Sequence, residues 1–209
     1  MISFKRIRYK NFLSTGNIPI EVELNKSSTT LIVGSNGSGK STLLDALCYA
    51  LFNKPFRIIK KDQMVNTINN GDTLVEVEFE VGTNQYMIRR GIKPNLFEIY
   101  QNDKLINQDA SNIDYQKYLE QNIMKLNYRS FIQVVILGSS AYEPFMKMKP
   151  RYRREVVEEI LDIRVFGLMD LLLRSQQSDL QKKLTEVRHQ AELIKTKYET
   201  EAKHLKSLE

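Results

Sequence analysis

Apolar and polar residues alternate along much of the first half of the chain, and the period then changes. Ile18, Ile20, Val22 and Leu24 take turns with polar neighbours, the mark of a half-buried strand. Ile2, Phe4, Ile7 and Tyr9 predict an earlier strand with an imperfect period of two. Residues 29–34, TTLIVG, form a short continuous apolar run, which predicts a buried strand ending at Gly34. From Lys40 the pattern turns helical: Leu43, Leu44, Leu47, Ala50 and Leu51 share one face, and Pro55 ends the run.

Thr73–Val81, TLVEVEFEV, alternates strongly, and NQYMIRRG and NLFEIYQN continue as strands. Turn signals stand at Gly82–Thr83, at Gly91–Pro94 and at Asn102–Lys104. This middle segment predicts an antiparallel sheet with one face in water, because charges alternate with Val75, Val77 and Phe79. Ile113–Met124 has helical spacing, and Phe131–Gly138, FIQVVILG, reads as a buried strand. A helix then starts close to Pro150, with Val156, Val157, Ile160, Leu161 and Ile163 as its apolar face.

The last part keeps a different register. Leu173, Gln177, Leu180, Leu184, Val187, Ala191, Ile194, Tyr198, Glu201, Leu205 and Leu208 follow at spacings of four and three, a heptad seam with two polar interruptions. A helix over 168–208 would extend about 60 Å, longer than a domain of this size is wide, so it projects and needs a partner helix. The expected organisation is a lobe over 1–165 and a coiled-coil helix over 166–209.

Composition changes this picture little. A net charge of +6 permits contact with nucleic acid without arguing for it, since acidic residues are interspersed throughout. The single cysteine, Cys48, has no internal disulfide partner. No apolar run approaches the roughly 18 residues of a membrane span, and MISFKRIRYKNF lacks the apolar core of a signal peptide. Together these predict a cytoplasmic protein with no membrane partner.

The chemistry concentrates in GSNGSGKS, residues 34–41, which fits G-x-x-x-x-G-K-[ST]. Gly34, Gly37 and Gly39 let the backbone wrap closely around phosphates. The amides of Gly34, Ser35, Asn36, Gly37, Ser38 and Gly39 would form a concave anion site at the positive end of the following helix. Lys40 would reach the β- and γ-phosphates of ATP, Ser41 would ligate Mg²⁺, and Thr42 lies near the α-phosphate. A bare glycine turn is the plainer reading, but the strand before and helix after are the context a phosphate loop requires.

A hydrolytic site also needs an acidic pair at the end of a second buried strand. VVILGSS ends in Gly and Ser, Asp170 sits in a helical pattern, and the carboxylates of VEVEFE face water. The missing acids and the unpaired seam predict the N-terminal part of a longer protein.

YKNFLS, then GSNGSGKSTLLDAL, then a β-rich lobe, then REVVEEILDI running into heptads, resembles the SbcC-type, SMC-like ATPases of recombination and repair nuclease complexes. LFNKPFR, IRRGIKPNLFEIY and VVILGSSAYEPFM resemble the phage members of that family most. The resemblance implies an α/β fold: the N-terminal lobe of a P-loop, ABC-type ATPase head with an added antiparallel sheet and a projecting coiled-coil helix. It implies ATP and Mg²⁺ as cofactors. It implies as partners a C-terminal lobe of the same protein, a second copy, double-stranded DNA, and an SbcD-type nuclease subunit near the coil base. ATP would move protein and DNA, and would not cut DNA itself.

Residue by residue, the resemblance places Gly34 through Thr42 on the phosphates, with Asn36 towards the γ-phosphate across a dimer. Asn11 and Ser14 fall where the family lines the base or ribose. Lys60, Lys61 and Asp62 match a loop that approaches the nucleotide, or are an exposed charged turn. The family has a glutamine after the strand read here as VVIL, where this chain has Gly138, Ser139 and Ser140. Ser139 is the positional match, a hydroxyl able to reach magnesium weakly or through water, and Gln133 reads as an ordinary strand residue. A tethering ATPase without a nuclease, a transporter's nucleotide-binding domain and a small-molecule kinase are the competing readings. The heptads fit the last two poorly.

Overall fold

The computed structural model describes residues 2–27, 29–106, 112–136, 144–161 and 163–208. The chain divides into two compact units, Met1–Ile160 and Leu161–Glu209.

The first unit is built on one antiparallel sheet in the order β2-β1-β3-β4-β5-β6. The strands are β1 (Ile2–Lys10), β2 (Ile20–Glu23), β3 (Thr73–Val81), β4 (Asn84–Ile92), β5 (Leu96–Gln101) and β6 (Lys104–Leu105). Asn102 and Asp103 close the β5–β6 hairpin with φ of 48° and 63°, the left-handed pair that a two-residue hairpin turn needs. The imperfect period of β1 has a structural cause. Its pairing with β3 shifts register between Phe4 and Arg6, so Lys5 is an extra residue and Phe4, Ile7 and Tyr9 all serve the inner face.

One sheet face is core: Ile7, Tyr9, Val75, Val77, Phe79, Ile88, Phe97 and Ile99 are buried there. The other is a lattice of ion pairs across the strands. Arg6 bridges Glu21 and Glu78, Arg89 bridges Glu76 (2.7 Å) and Glu98 (3.0 Å), and Lys5 meets Glu80. Cross-strand pairs of opposite charge each contribute a few tenths of a kcal/mol, up to about 1. Their larger effect is to neutralise that face.

Helix α1 (Lys40–Phe52) packs on the inner face with ten of its thirteen residues buried. Phe12 and Tyr49 lie with ring centroids 5.5 Å apart. Asn53 ends the helix in the left-handed conformation, its N–H donating to Tyr49 O. Helix α2 (Asn112–Tyr118) runs into a π-helical turn, Leu119–Met124. Helix α3 (Tyr128–Val134) and helix α4 (Pro150–Ile160) follow.

Two sequence expectations fail. Phe131–Val134 is helical, not a strand. The Asn127 side chain caps α3 by accepting from Ser130 N (2.9 Å). Phe131 packs on Phe52 and Phe4, with ring centroids 5.0 and 6.0 Å away, and Ser130 Oγ donates to Glu159 on α4. Val134 and Val135 stay half-exposed, so the apolar run is not the continuously buried one it resembled. Residues 29–33 form no strand either: Leu31 and Val33 are 85% and 80% exposed. A two-sided apolar strand needs sheet neighbours and cover on both faces, and the described residues supply neither.

The second unit is helix α5 (Arg164–Leu208), forty-five residues long. Leu173, Leu180, Leu184, Val187, Ile194 and Tyr198 on its seam are all exposed. Among the described residues, no helix is long and apolar enough to cross a membrane.

Candidate nucleotide site

The phosphate loop runs into the N-terminus of α1. Gly37 and Gly39 adopt φ of 86° and 92°, where a side chain would be strained. A Cβ on Gly34 would come within 2.5 Å of Ser38 Oγ, so a larger residue there would require the Ser38 side chain to turn away. Ser38 N donates to Ser35 O (3.2 Å), and Thr42 N to Gly39 O (3.0 Å). Lys40 Nζ donates to the carbonyls of Gly34 and Ser35, both at 2.7 Å, and meets no carboxylate among the described residues. Ser41 is exposed at the helix start and Thr42 is buried. A lysine without a counter-ion, a left-handed glycine turn and a helix N-terminus converge here, and this donor set fits a polyphosphate.

The helix behind the loop is tied down by charge. Asp45 is fully buried on α1 and accepts from Arg57 N (2.9 Å) and Arg57 Nε (2.7 Å). This bidentate bond holds the chain that leaves α1. Cys48, one turn on, is fully buried; burial first, and the charge of Asp45 second, push its thiol well above the ordinary range. It is a core residue, as expected.

Asn11 departs from expectation. It was expected to face a base or ribose, but it is 1% exposed, with φ of 50°, and its amide is engaged within the protein. Asn69 Nδ2 donates to its Oδ1 (2.6 Å), and its Nδ2 donates to Asn17 Oδ1 and Asp72 O, both at 3.2 Å. Thr73 Oγ1 donates to its carbonyl (2.8 Å). The side chain therefore pins the turn after β1 to the start of β3. Ser14 is exposed in that turn. Lys61 and Asp62 are exposed on a 3-10 turn, Lys61–Met64, whose Met64 is buried; Lys60 precedes it, its N–H donating to Gln63 Oε1 (3.2 Å). Gly138, Ser139 and Ser140 lie outside the described residues. Gln133 belongs to α3. Among the described residues, no group of three or more His, Cys, Asp or Glu is placed to hold a metal ion.

Sequence reasoning passed over Arg90. It is 5% exposed, stands on the inner face of β4 and caps the far end of α1, Nε donating to Ala50 O (2.9 Å) and Nη2 to Gln116 Oε1 (2.7 Å). Burial pushes its pKa down to about 10. The signal was available: Ile88, Arg90 and Ile92 share one parity, which puts a charge on a strand's apolar side.

An AAA-domain family model matches residues 6–209. The chain belongs to this AAA-domain family. It is 43% identical over 182 residues to exonuclease subunit 2 of Escherichia phage RB69, covering 86% of the chain and 32% of that protein. It is 44% identical over 174 residues to exonuclease subunit 2 of Enterobacteria phage T4, covering 82% and 31%. A DNA double-strand break repair Rad50 ATPase of Thermoplasma volcanium is 30% identical, over 84% of the chain and 20% of that protein. The chain thus spans about a third of the length of the phage relatives it matches. Among solved structures, the Smc head domain of Pyrococcus furiosus, with an extended coiled coil and bound to the C-terminal domain of ScpA, aligns at a TM-score of 0.62 and 18% identity. That match covers 90% of this chain and 48% of that one. The Smc head of Pyrococcus yayanosii aligns at 0.61 and 20% identity, over 90% and 37%. The AAA-domain member therefore has the fold of an SMC-type head's N-terminal lobe with its emerging helix, as the SbcC resemblance implied.

Proposed function

We propose that this chain is the ATP-binding lobe of a DNA recombination and repair ATPase that dimerises on ATP, binds DNA and regulates a partner nuclease. The carrying observation is Lys40, held by two loop carbonyls at the positive end of α1 with no counter-ion among the described residues. Residues 34–42 hold the phosphates of ATP, Ser41 ligates Mg²⁺, Ser14 lies on the base side, and Ser139 stands at the position of the family's glutamine. The Ser41 hydroxyl would hold the metal, which would offset the charge of the phosphates.

The remainder of the head lies outside these residues. Exposed Leu31, Ile32 and Val33 suit cover by strands of a C-terminal lobe, and the exposed α5 seam suits a returning helix. Below that seam, Val165, Phe166, Leu168, Met169, Leu171 and Leu172 are exposed around more of the helix than one seam uses. That suits a nuclease subunit docked at the coil base. The lobe is 1–165, the coil 166–209, and the fragment alone turns over little or no ATP. The host cytoplasm is its compartment.

A second reading, a tethering ATPase with no nuclease, is favoured by the Smc heads among its structural neighbours. Affinity capture of the full-length protein, with and without ATP and DNA, separates the two: a co-purifying nuclease supports the first, and its consistent absence the second. Lys40→Ala in the full-length protein is expected to reduce ATP-dependent activity at least a hundredfold. Undiminished ATP-stimulated activity in that variant sinks the nucleotide reading.

A further inference from the structure

Helix α1 has a phosphate loop at one end and a second basic feature at the other, about 18 Å away along its axis. There, a cleft of about 610 Å³ opens between the end of α1, β4, β5, α2 and the start of α3. Five cations line it: Lys54, Lys61, Arg90, Lys117 and Arg129. Three carboxylates stand against them: Asp114 lies 3.6 Å from Lys117 Nζ in an exposed pair, and Glu155 and Glu120 are occupied. Glu155 accepts from Arg129 Nη1 and Asn127 Nδ2, both at 3.2 Å, and Glu120 accepts from Gln116 Nε2 at 2.6 Å.

Arg90 forms the floor. Its Nε and Nη2 are used by Ala50 O and Gln116 Oε1, and its guanidinium carbon lies 3.7 Å from the centroid of the Phe97 ring. Among the described residues no carboxylate bonds to it directly; Glu120, held by Gln116, acts on it only through its charge. Among the described residues its Nη1 has no hydrogen bond, yet it is not a sealed, unsatisfied atom, so it keeps access to the cleft. Burying a guanidinium without a counter-ion is costly. The carbonyl end of α1 returns only about half a negative charge, and Lys54 and Lys61 add further uncompensated charge at the rim. Desolvation accordingly weakens the hold of Arg90 on its proton. A bound anion would reverse that.

We propose that this cleft binds a phosphate monoester, with Arg90 Nη1 at its base and Lys54 and Lys117 at its mouth. A monoester carries about 1.5 to 2 negative charges and three acceptor oxygens, matching a guanidinium edge between two ammonium groups. Arg90 is only 5% exposed at the floor, which favours a compact terminal phosphate over the backbone of paired DNA. The source is either the phosphorylated end of a DNA strand or a small phosphorylated molecule. The site stands apart from the nucleotide loop and does not depend on the nucleotide reading.

The test uses the full-length protein carrying Lys40→Ala, so that the loop contributes no phosphate affinity. Its binding is measured for inorganic phosphate and for a short single strand with a 5′-phosphate or a 5′-hydroxyl. The phosphorylated strand is expected to bind at least fivefold more tightly, with the Lys54→Ala/Lys117→Ala pair bringing that ratio to about one. Both lysines are on the surface, and an unchanged melting temperature shows that folding is not the cause. Arg90→Lys keeps the charge but loses the fork, and is expected to lower the ratio in part. Inorganic phosphate binding that depends on Lys54 and Lys117, with equal strand affinities, assigns the site to a small molecule. Equal strand affinities with no phosphate binding overturn the proposal. So does a ratio that neither the lysine pair nor Arg90→Lys moves.

Discussion

Val75, Val77 and Phe79 on β3 and Leu31, Ile32 and Val33 before the phosphate loop are the same kind of sequence with opposite fates. The first three are at most 1% exposed, between β1, β4 and α1. The second three are 46–85% exposed and pair with nothing among the described residues. Hydrophobicity is equal or greater in the second set, so it does not decide burial. What decides is whether the partner surface is present. β3 has a strand on either side, whereas residues 29–33, next to the Lys40 loop, have none among the described residues.

Substitution breaks or confirms that contrast. Phe79→Ala is expected to destabilise the isolated chain by about 3–5 kcal/mol, since a large buried ring leaves a cavity behind. Leu31→Ala and Val33→Ala are expected to change the same urea midpoint by no more than about 0.5 kcal/mol. In the full-length protein each would instead cost about 1.5–3 kcal/mol if a completed sheet covers them. Equal costs at Phe79 and Leu31 in the isolated chain would remove the distinction.

A second contrast lies within one ion pair. Asp45 is fully buried, while the Arg57 side chain is 39% exposed. Arg57→Ala strands a carboxylate in the core and is expected to cost about 3–5 kcal/mol. Asp45→Ala leaves an arginine that can turn to water, at about 1–3 kcal/mol for its lost hydrogen bonds. Equilibrium unfolding of both variants reads the asymmetry, and the reverse order would mean that Arg57 is the more desolvated partner.

Local pattern carried most of the first unit. The alternation of Thr73–Val81 predicted its strand to the residue, and even the fault in β1, between Phe4 and Ile7, is visible as a skipped period whose cause is the bulge at Lys5. The phosphate loop was legible because its glycines and lysine act through the backbone of one short segment. The lack of a strand at residues 29–33 was not legible from their apolar run, and neither was the helix at Phe131–Val134, where a capping asparagine four residues before Phe131 outweighed β-branched composition. Asn11 was misplaced for a related reason. Its position in the sequence matched a ligand-facing one, but Asn17, Asn69 and Asp72, up to 61 residues away, claim its amide.

The smallest effect gives the finest probe of the buried side of the contrast. Cys48 is fully buried in α1, and burial raises its thiol above the ordinary value of 9.0. In the unfolded chain the thiol ionises near that ordinary value, while the folded protein keeps its proton. The folded state therefore binds more protons above about pH 9, and this contribution to stability is fully present below that pH and declines as pH rises. A thiol-specific disulfide reagent is expected to label the native chain only through opening, at a rate that tracks unfolding. Phe79→Ala should speed labelling about a hundredfold or more, in proportion to its lost stability, and Leu31→Ala should leave it within about twofold. Prompt labelling of the unsubstituted chain at neutral pH would show that the α1 core opens independently of the sheet.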